Sequence, residues 1–153
     1  MGDVTRSIEI PAPPNEVFVF FVPQRMPLWY GTEMDAHFEV QGGASEFASG
    51  QKIRISGRLA RYEVQLTVVI TAYEWERLLE WRFQDSYGVK GIQRWELQHV
   101  AGKTRVVMRD VYEMPSRFGK ILDRFFTVRG IRARDQDWLT RLQRLAAPNA
   151  ASL

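Results

Sequence analysis

From Thr104 to Tyr112 the sequence sets Thr104, Val106, Met108, Asp110 and Tyr112 on one side of an extended strand, which places the Asp110 carboxyl among apolar neighbours. A carboxylate in that position needs a hydrogen-bonded or charged partner. Gln93 and His99 share the inward phase of Trp95 and Leu97 on the preceding segment. Stepping ~100° per residue from Phe125 brings Arg129, Arg132 and Gln136 near the centre of the buried stripe of the last helix. Two outcomes fit. Asp110, Arg132 or Arg129, and Gln136 clamp helix to sheet as a structural ion pair, or they project into a partly wet cavity and bond each other or a ligand. In the second case Asp110, Tyr112, Tyr30 and an arginine suffice for acid–base work on a carbonyl compound. An aldol-type ring closure or a dehydration needs a proton donor or acceptor and a group that steadies an enolate.

Other chemistries are excluded by what the chain lacks. Cys is absent, which removes thiolate zinc sites, cysteine nucleophiles and CxxC redox chemistry, and fits a reducing cytoplasm. His37 and His99 lie far apart with no HExxH spacing, so no metal is expected, and no cofactor motif is present. No serine sits in a GxSxG elbow.

The elements that must position these groups follow from periodicity. Residues 4 to 10 read as a short strand ended by Pro11-Ala12-Pro13-Pro14, and Asn15 is a candidate cap for a helix carrying Val17, Phe18, Phe20, Phe21 and Val22. Met26-Pro27-Leu28-Trp29-Tyr30-Gly31 reads as a second helical turn or a lid-like loop. From about Ala36 to Glu113 the pattern is that of an antiparallel meander. Its clearest strands are Val64, Leu66, Val68, Ile70 and then Leu79, Trp81, Phe83, each alternating with polar or β-branched residues. Ser116 is a plausible N-cap for a long terminal helix running to Pro148, with Phe118, Ile121, Leu122, Phe125, Val128, Leu139, Leu142 and Ala146 at helical spacing. Gly130 is its weak point.

The 153 residues, 45% hydrophobic and 25% charged, suit one soluble domain over 1–148 with a frayed tail at 149–153. A net charge of +3 sets 21 basic against 18 acidic residues, and no zinc-finger, phosphate-loop or RNP-type motif points to nucleic acid. No apolar run approaches the ~18 residues of a membrane span, and no leader is recognisable, so the expected location is cytoplasmic.

Taken with "IEIPAPPNEVF", "PLWYG", "GQKIRISG", "WELQHVAGKTRVVMRDVYEMP", "GKILDRFF" and "LTRLQRLA", this order of elements resembles the START-like superfamily, in its polyketide cyclase/dehydrase (SRPBCC) branch. The likeness covers nearly the whole chain and rests on packing and turn features. It implies an α+β helix-grip fold: a curved antiparallel sheet wrapped around a long C-terminal helix, with two short N-terminal helices. It further implies a cavity for an apolar ligand of polyketide, lipid or quinone type. The 19 aromatic residues agree with either a filled core or pocket walls.

The expected ligand-contacting set is Phe20, Trp29, Tyr30, Leu66, Val68, Trp81, Phe83, Gln93, Trp95, Met108, Asp110, Phe125, Arg129, Arg132 and Gln136, with Trp29 and Tyr30 near the mouth. Asp110, Tyr112 and Arg132 are the candidates for catalysis if the resemblance extends to a cyclase, aromatase or dehydratase. Two further partners are open: an acidic protein docked on the arginine-rich last helix, as in accessory relatives, and a second copy meeting the sheet face of Val107 and Val111.

Overall fold

The structure, a computed structural model, describes residues 2–115 and 128–148. Seven strands form one antiparallel sheet: β1 (Gly2–Ile10), β2 (His37–Val40), β3 (Lys52–Leu59), β4 (Tyr62–Glu74), β5 (Leu78–Asp85), β6 (Lys90–Val100) and β7 (Lys103–Glu113). Their spatial order is β1-β7-β6-β5-β4-β3-β2, so every neighbour after β1 follows in chain order. That is the consequence of short hairpins: the turn at Ala101 and Gly102, both at positive φ, closes β6 onto β7 with the twist that the strands require. The meander is therefore the one anticipated, and the alternation of β7 holds residue for residue, with Thr104, Val106, Met108, Asp110 and Tyr112 all buried.

Helix α1 is only Pro14–Phe18 and is capped by Pro13, whereas Asn15 was expected as the cap. Pro14 at the first helical position brings a preset φ and no amide in need of a partner, so helix entry does not need the Asn15 side chain. Phe20, Phe21 and Val22 then continue as turns, and Met26–Leu28 forms one 3₁₀ turn, as the proline spacing suggested. Helix α2 is described over Val128–Ala146. The proposed cap at Ser116 and the stripe residues Phe118, Ile121, Leu122 and Phe125 lie outside the described residues. Leu139, Leu142 and Ala146 are buried as expected.

The helical phase needs a correction. Arg129 and Arg132 are exposed, and the buried line of α2 runs Ile131, Asp135, Trp138, Leu142. The buried carboxyls on this side, Asp110 and Asp135, are already paired with Arg134, so the helix turns that arginine toward the sheet. His99 is also exposed despite its inward phase, because it sits beside the exposed hairpin turn at Val100 to Gly102.

The sheet's inner face and α2 enclose a core dominated by rings. Trp29, Trp81, Trp95, Phe18 and Phe21 are fully buried, and their edges meet faces: Trp81 and Trp95 at 4.9 Å and 76°, Trp29 and Trp95 at 5.9 Å and 87°, Phe21 and Trp29 at 5.0 Å and 62°. Such pairs add ~0.5–1.5 kcal/mol each beyond the area they bury. Helix α2 is held to the edge strand β1 by Arg6 Nε donating to Gln136 Oε1 at 2.9 Å and by Gln143 Nε2 donating to the Glu9 carbonyl at 2.8 Å.

Candidate functional site

Between the sheet and α2 lies a cavity of about 280 Å³. Its apolar wall comes from Leu59, Val64, Leu66, Phe83 and Val89 on the sheet side, with Met34 at one edge and Ile131 and Trp138 on α2. Successive strands contribute at every second residue, so the period of two that buries the core also builds this wall. The volume is near the lower end of small-molecule sites.

One end is polar. Arg134 reaches from α2 to Asp110 on β7, with Nη2 2.9 Å from Oδ2, and also bonds Asp135 Oδ1 through Nη2 at 3.1 Å and Nε at 3.2 Å. Its guanidinium lies over the Trp138 ring at 4.4 Å, a cation–π contact that fixes its plane. Asp110 Oδ2 also accepts from Gln93 Nε2 at 3.4 Å. Gln93 Oε1 in turn accepts from Tyr30 OH at 2.7 Å and Trp81 Nε1 at 2.9 Å, so the network ends in the aromatic core. Trp138 Nε1 donates to Glu33 Oε2 at 3.0 Å. On β5, Asp85 accepts from the amides of Tyr87 and Val89, both at 2.9 Å.

Three buried oxygens at this end have no hydrogen-bond partner among the described residues: Asp110 Oδ1, Asp135 Oδ2 and the Tyr112 hydroxyl. Burial pushes Asp135 up to about 8; Asp110 pushes the same way and Arg134 opposes both. Burial raises Asp85, Tyr30 and Tyr112 as well. For Arg134 burial acts to lower the value, and the surrounding acidic groups Asp135, Asp110 and Glu33 together outweigh it, so the guanidinium is held firmly protonated. Tyr112 stands opposite glycine on both sides, Gly2 in β1 and Gly91 in β6, and its ring occupies the space that a side chain at residue 2 would need.

Of the anticipated residues, the structure brings Tyr30, Leu66, Phe83, Gln93, Asp110 and Tyr112 to the cavity. Trp29, Val68, Trp81, Trp95 and Met108 are instead packed in the core, and Trp29 is no mouth residue: it is fully buried, its indole donating to the Phe20 carbonyl at 2.9 Å. Phe20 packs against that core from its edge. Gln136 bonds Arg6, Arg129 and Arg132 are exposed, and Phe125 lies outside the described residues. Arg134 and Asp135 were missed because the helical phase was anchored on Phe125; anchored on Trp138, the same 3.6-residue period carries Asp135 and Ile131 inward. Among the described residues no cluster of His, Asp or Glu has metal-ligating geometry, and no helix is long and apolar enough to cross a membrane.

The family described as polyketide cyclase/dehydrase and lipid transport matches residues 1–147. No curated protein matches the sequence. Among solved structures, the chain is similar to DynU16, from the dynemicin biosynthetic locus, with a TM-score of 0.68 and 21% identity over 94% of this chain. It spans 46% of that longer protein. A Chromobacterium violaceum protein superposes with a TM-score of 0.70 at 12% identity, covering 97% of this chain and all of that one. Ara h 8.0201 superposes at 0.65 and 11% identity, over 95% of this chain and 98% of that one. At these identities the structures establish the shared fold, a curved antiparallel sheet gripping a C-terminal helix, and nothing about ligand.

Proposed function

This chain belongs to the polyketide cyclase/dehydrase and lipid transport family, and from that premise we propose that it binds a small, mostly apolar molecule in the cavity between the sheet and α2. The observation that carries the reading is the division of the cavity wall: aliphatic and aromatic side chains on most of it, and the Gln93, Asp110, Tyr112 and Arg134 groups gathered at one end. Shape and apolar contact supply affinity, and a few polar contacts fix orientation. Native mass spectrometry of the purified protein beside its denatured mass tests this. A retained apolar adduct released on denaturation is the expected result. Protein that stays empty when equilibrated with a panel of apolar molecules overturns the reading.

A second reading is favoured by Asp110 and Tyr112 lining the cavity beside Arg134: a cyclase, aromatase or dehydratase acting on a polyketide-like substrate. Here Arg134 takes the role that the sequence assigned to Arg132. Asp110→Asn is then expected to preserve affinity and lower turnover by about tenfold or more, as for loss of a general acid or base. Unchanged turnover removes Asp110 from that role.

A further inference from the structure

We infer that the cavity takes an uncharged ligand, an apolar molecule carrying a hydroxyl or carbonyl group, because Arg134, the one cation among its described lining residues, is already committed to two buried carboxyl groups, Asp110 and Asp135. The inference rests on the cavity being a ligand site. A lone arginine in an apolar cavity attracts carboxylates such as fatty acids. Here the arginine faces two carboxyl groups, Asp110 and Asp135, exposed to 1% and 0%. Its Nη2 serves both at 2.9 and 3.1 Å, its Nε bonds Asp135 at 3.2 Å, and its face is covered by Trp138.

Two ionised carboxylates against one guanidinium would leave an uncompensated negative charge in a buried site, which a proton removes at far lower cost. The atoms ask for that proton. Asp110 Oδ1 and Asp135 Oδ2 are the two buried carboxyl oxygens of the trio without a partner among the described residues, and a hydrogen on Asp135 bonded to the Asp110 carboxyl fits that pair. No second cation among the described residues takes its place. The other titratable groups that act on the trio are Tyr30, Glu33 and Tyr112, with Asp85 sensing Arg134 from β5, and none is basic. The upward displacement of Asp135 agrees with this geometry.

The trio is therefore neutral as a whole. A carboxylate entering beside it would add a negative charge to a cavity already lined by Glu33, Asp85 and Asp137, and an ammonium would have to draw its balance from those three, which are already bonded to Trp138, to backbone amides and to Arg141; each loses its hydration on entry. A neutral hydroxyl or carbonyl group meets no such cost. It also finds Tyr112, a lining residue whose buried hydroxyl has no partner among the described residues and can donate or accept.

The test uses three probes with one bicyclic body, naphthylmethanol, naphthoate and naphthylmethylamine, titrated calorimetrically at neutral pH. The wild type is expected to bind the alcohol about tenfold or more tightly than either charged probe. Asp135→Asn is expected to keep that ranking, since arginine and one aspartate remain balanced. Asp110→Asn combined with Asp135→Asn leaves Arg134 unopposed and is expected to turn the preference to naphthoate. Infrared difference spectra are expected to show a protonated-carboxyl stretch in the wild type that fades as pH rises past about 8 and is missing from Asp135→Asn. If naphthoate or naphthylmethylamine matches the alcohol on the wild type, or the protonated-carboxyl band is absent, the inference falls while the cavity reading stands. If no probe binds, both fall. Should the double variant fail to fold, the wild-type ranking and the infrared comparison decide alone.

Discussion

Two regions of the same inner sheet face lie a single pleat apart and behave in opposite ways. In the β6–β7 ladder, Trp95 stands opposite Met108 in a closed core, and two residues along, Gln93 stands opposite Asp110 at the polar end of the cavity. The core side is full: its tryptophans are wholly buried and stacked edge to face, and Trp81 directs its indole N–H toward Gln93. The cavity side keeps open volume and three buried oxygens without partners among the described residues. The aromatic block is the rigid floor on which the polar groups are mounted, since Tyr30 and Trp81 both donate to the amide that bonds Asp110. Close aromatic packing is concentrated on one side of this boundary, and open volume with polar groups on the other.

The contrast is most easily broken at Trp95. Trp95→Ala is expected to cost about 3–5 kcal/mol in denaturant unfolding, the range for removing a large buried ring. A loss below ~2 kcal/mol would mean that the core is as loosely filled as the cavity. Next is Arg134→Met, which leaves two buried carboxyl groups with no cation. It is expected to cost about 3 kcal/mol near pH 8 and less near pH 5, where the Asp135 carboxyl is protonated. An equal loss at both values would show that the arginine is held for packing alone.

Asp135→Asn acts through pH. The folded-state value of about 8 lies above the ~3.9 of an unfolded chain, so the native state holds a proton that the unfolded state has released. The stability Asp135 contributes is complete below about pH 4, declines as pH rises toward 8 and is level beyond. Thermal melts are expected to show the wild type losing Tm relative to Asp135→Asn between pH 5 and pH 8; parallel curves would refute a proton held at this site. The smallest effect is expected from Tyr112→Phe. Its hydroxyl has no partner among the described residues, so stability should change by less than ~1 kcal/mol, while affinity for naphthylmethanol falls. A larger loss of stability would place a structural partner on that oxygen.

Much of this boundary is legible in the sequence, and the reasons for the rest are specific. Strict alternation through Thr104, Val106, Met108, Asp110 and Tyr112 identifies the inward face of β7, because a strand has only two faces. Gln93 follows by the same rule. Alternation does not say which inward residues meet other side chains and which meet open space, so Trp81, Trp95 and Met108 read the same as Leu66 and Phe83 until the chain is folded. Helices are less forgiving: their phase depends on the residue taken as anchor, and from Phe125 it pointed to Arg129 and Arg132 in place of Arg134 and Asp135. Trp138, buried and facing the cavity, was the anchor to use.

The ring of Tyr112 lies over a position where β1 has no side chain, and the hypothetical Cβ of residue 2 would come within 2.0 Å of it. A wall of the cavity is thus seated on the second residue of the chain, on the opposite side of the edge strand's partner from Gln93. Exchange of Gly2 for alanine must unseat that ring, and with it the only hydroxyl at the polar end that has no partner among the described residues. Residue 2 is a remote adjustment screw for the shape of the cavity, able to change it without altering the charge of any group that lines it.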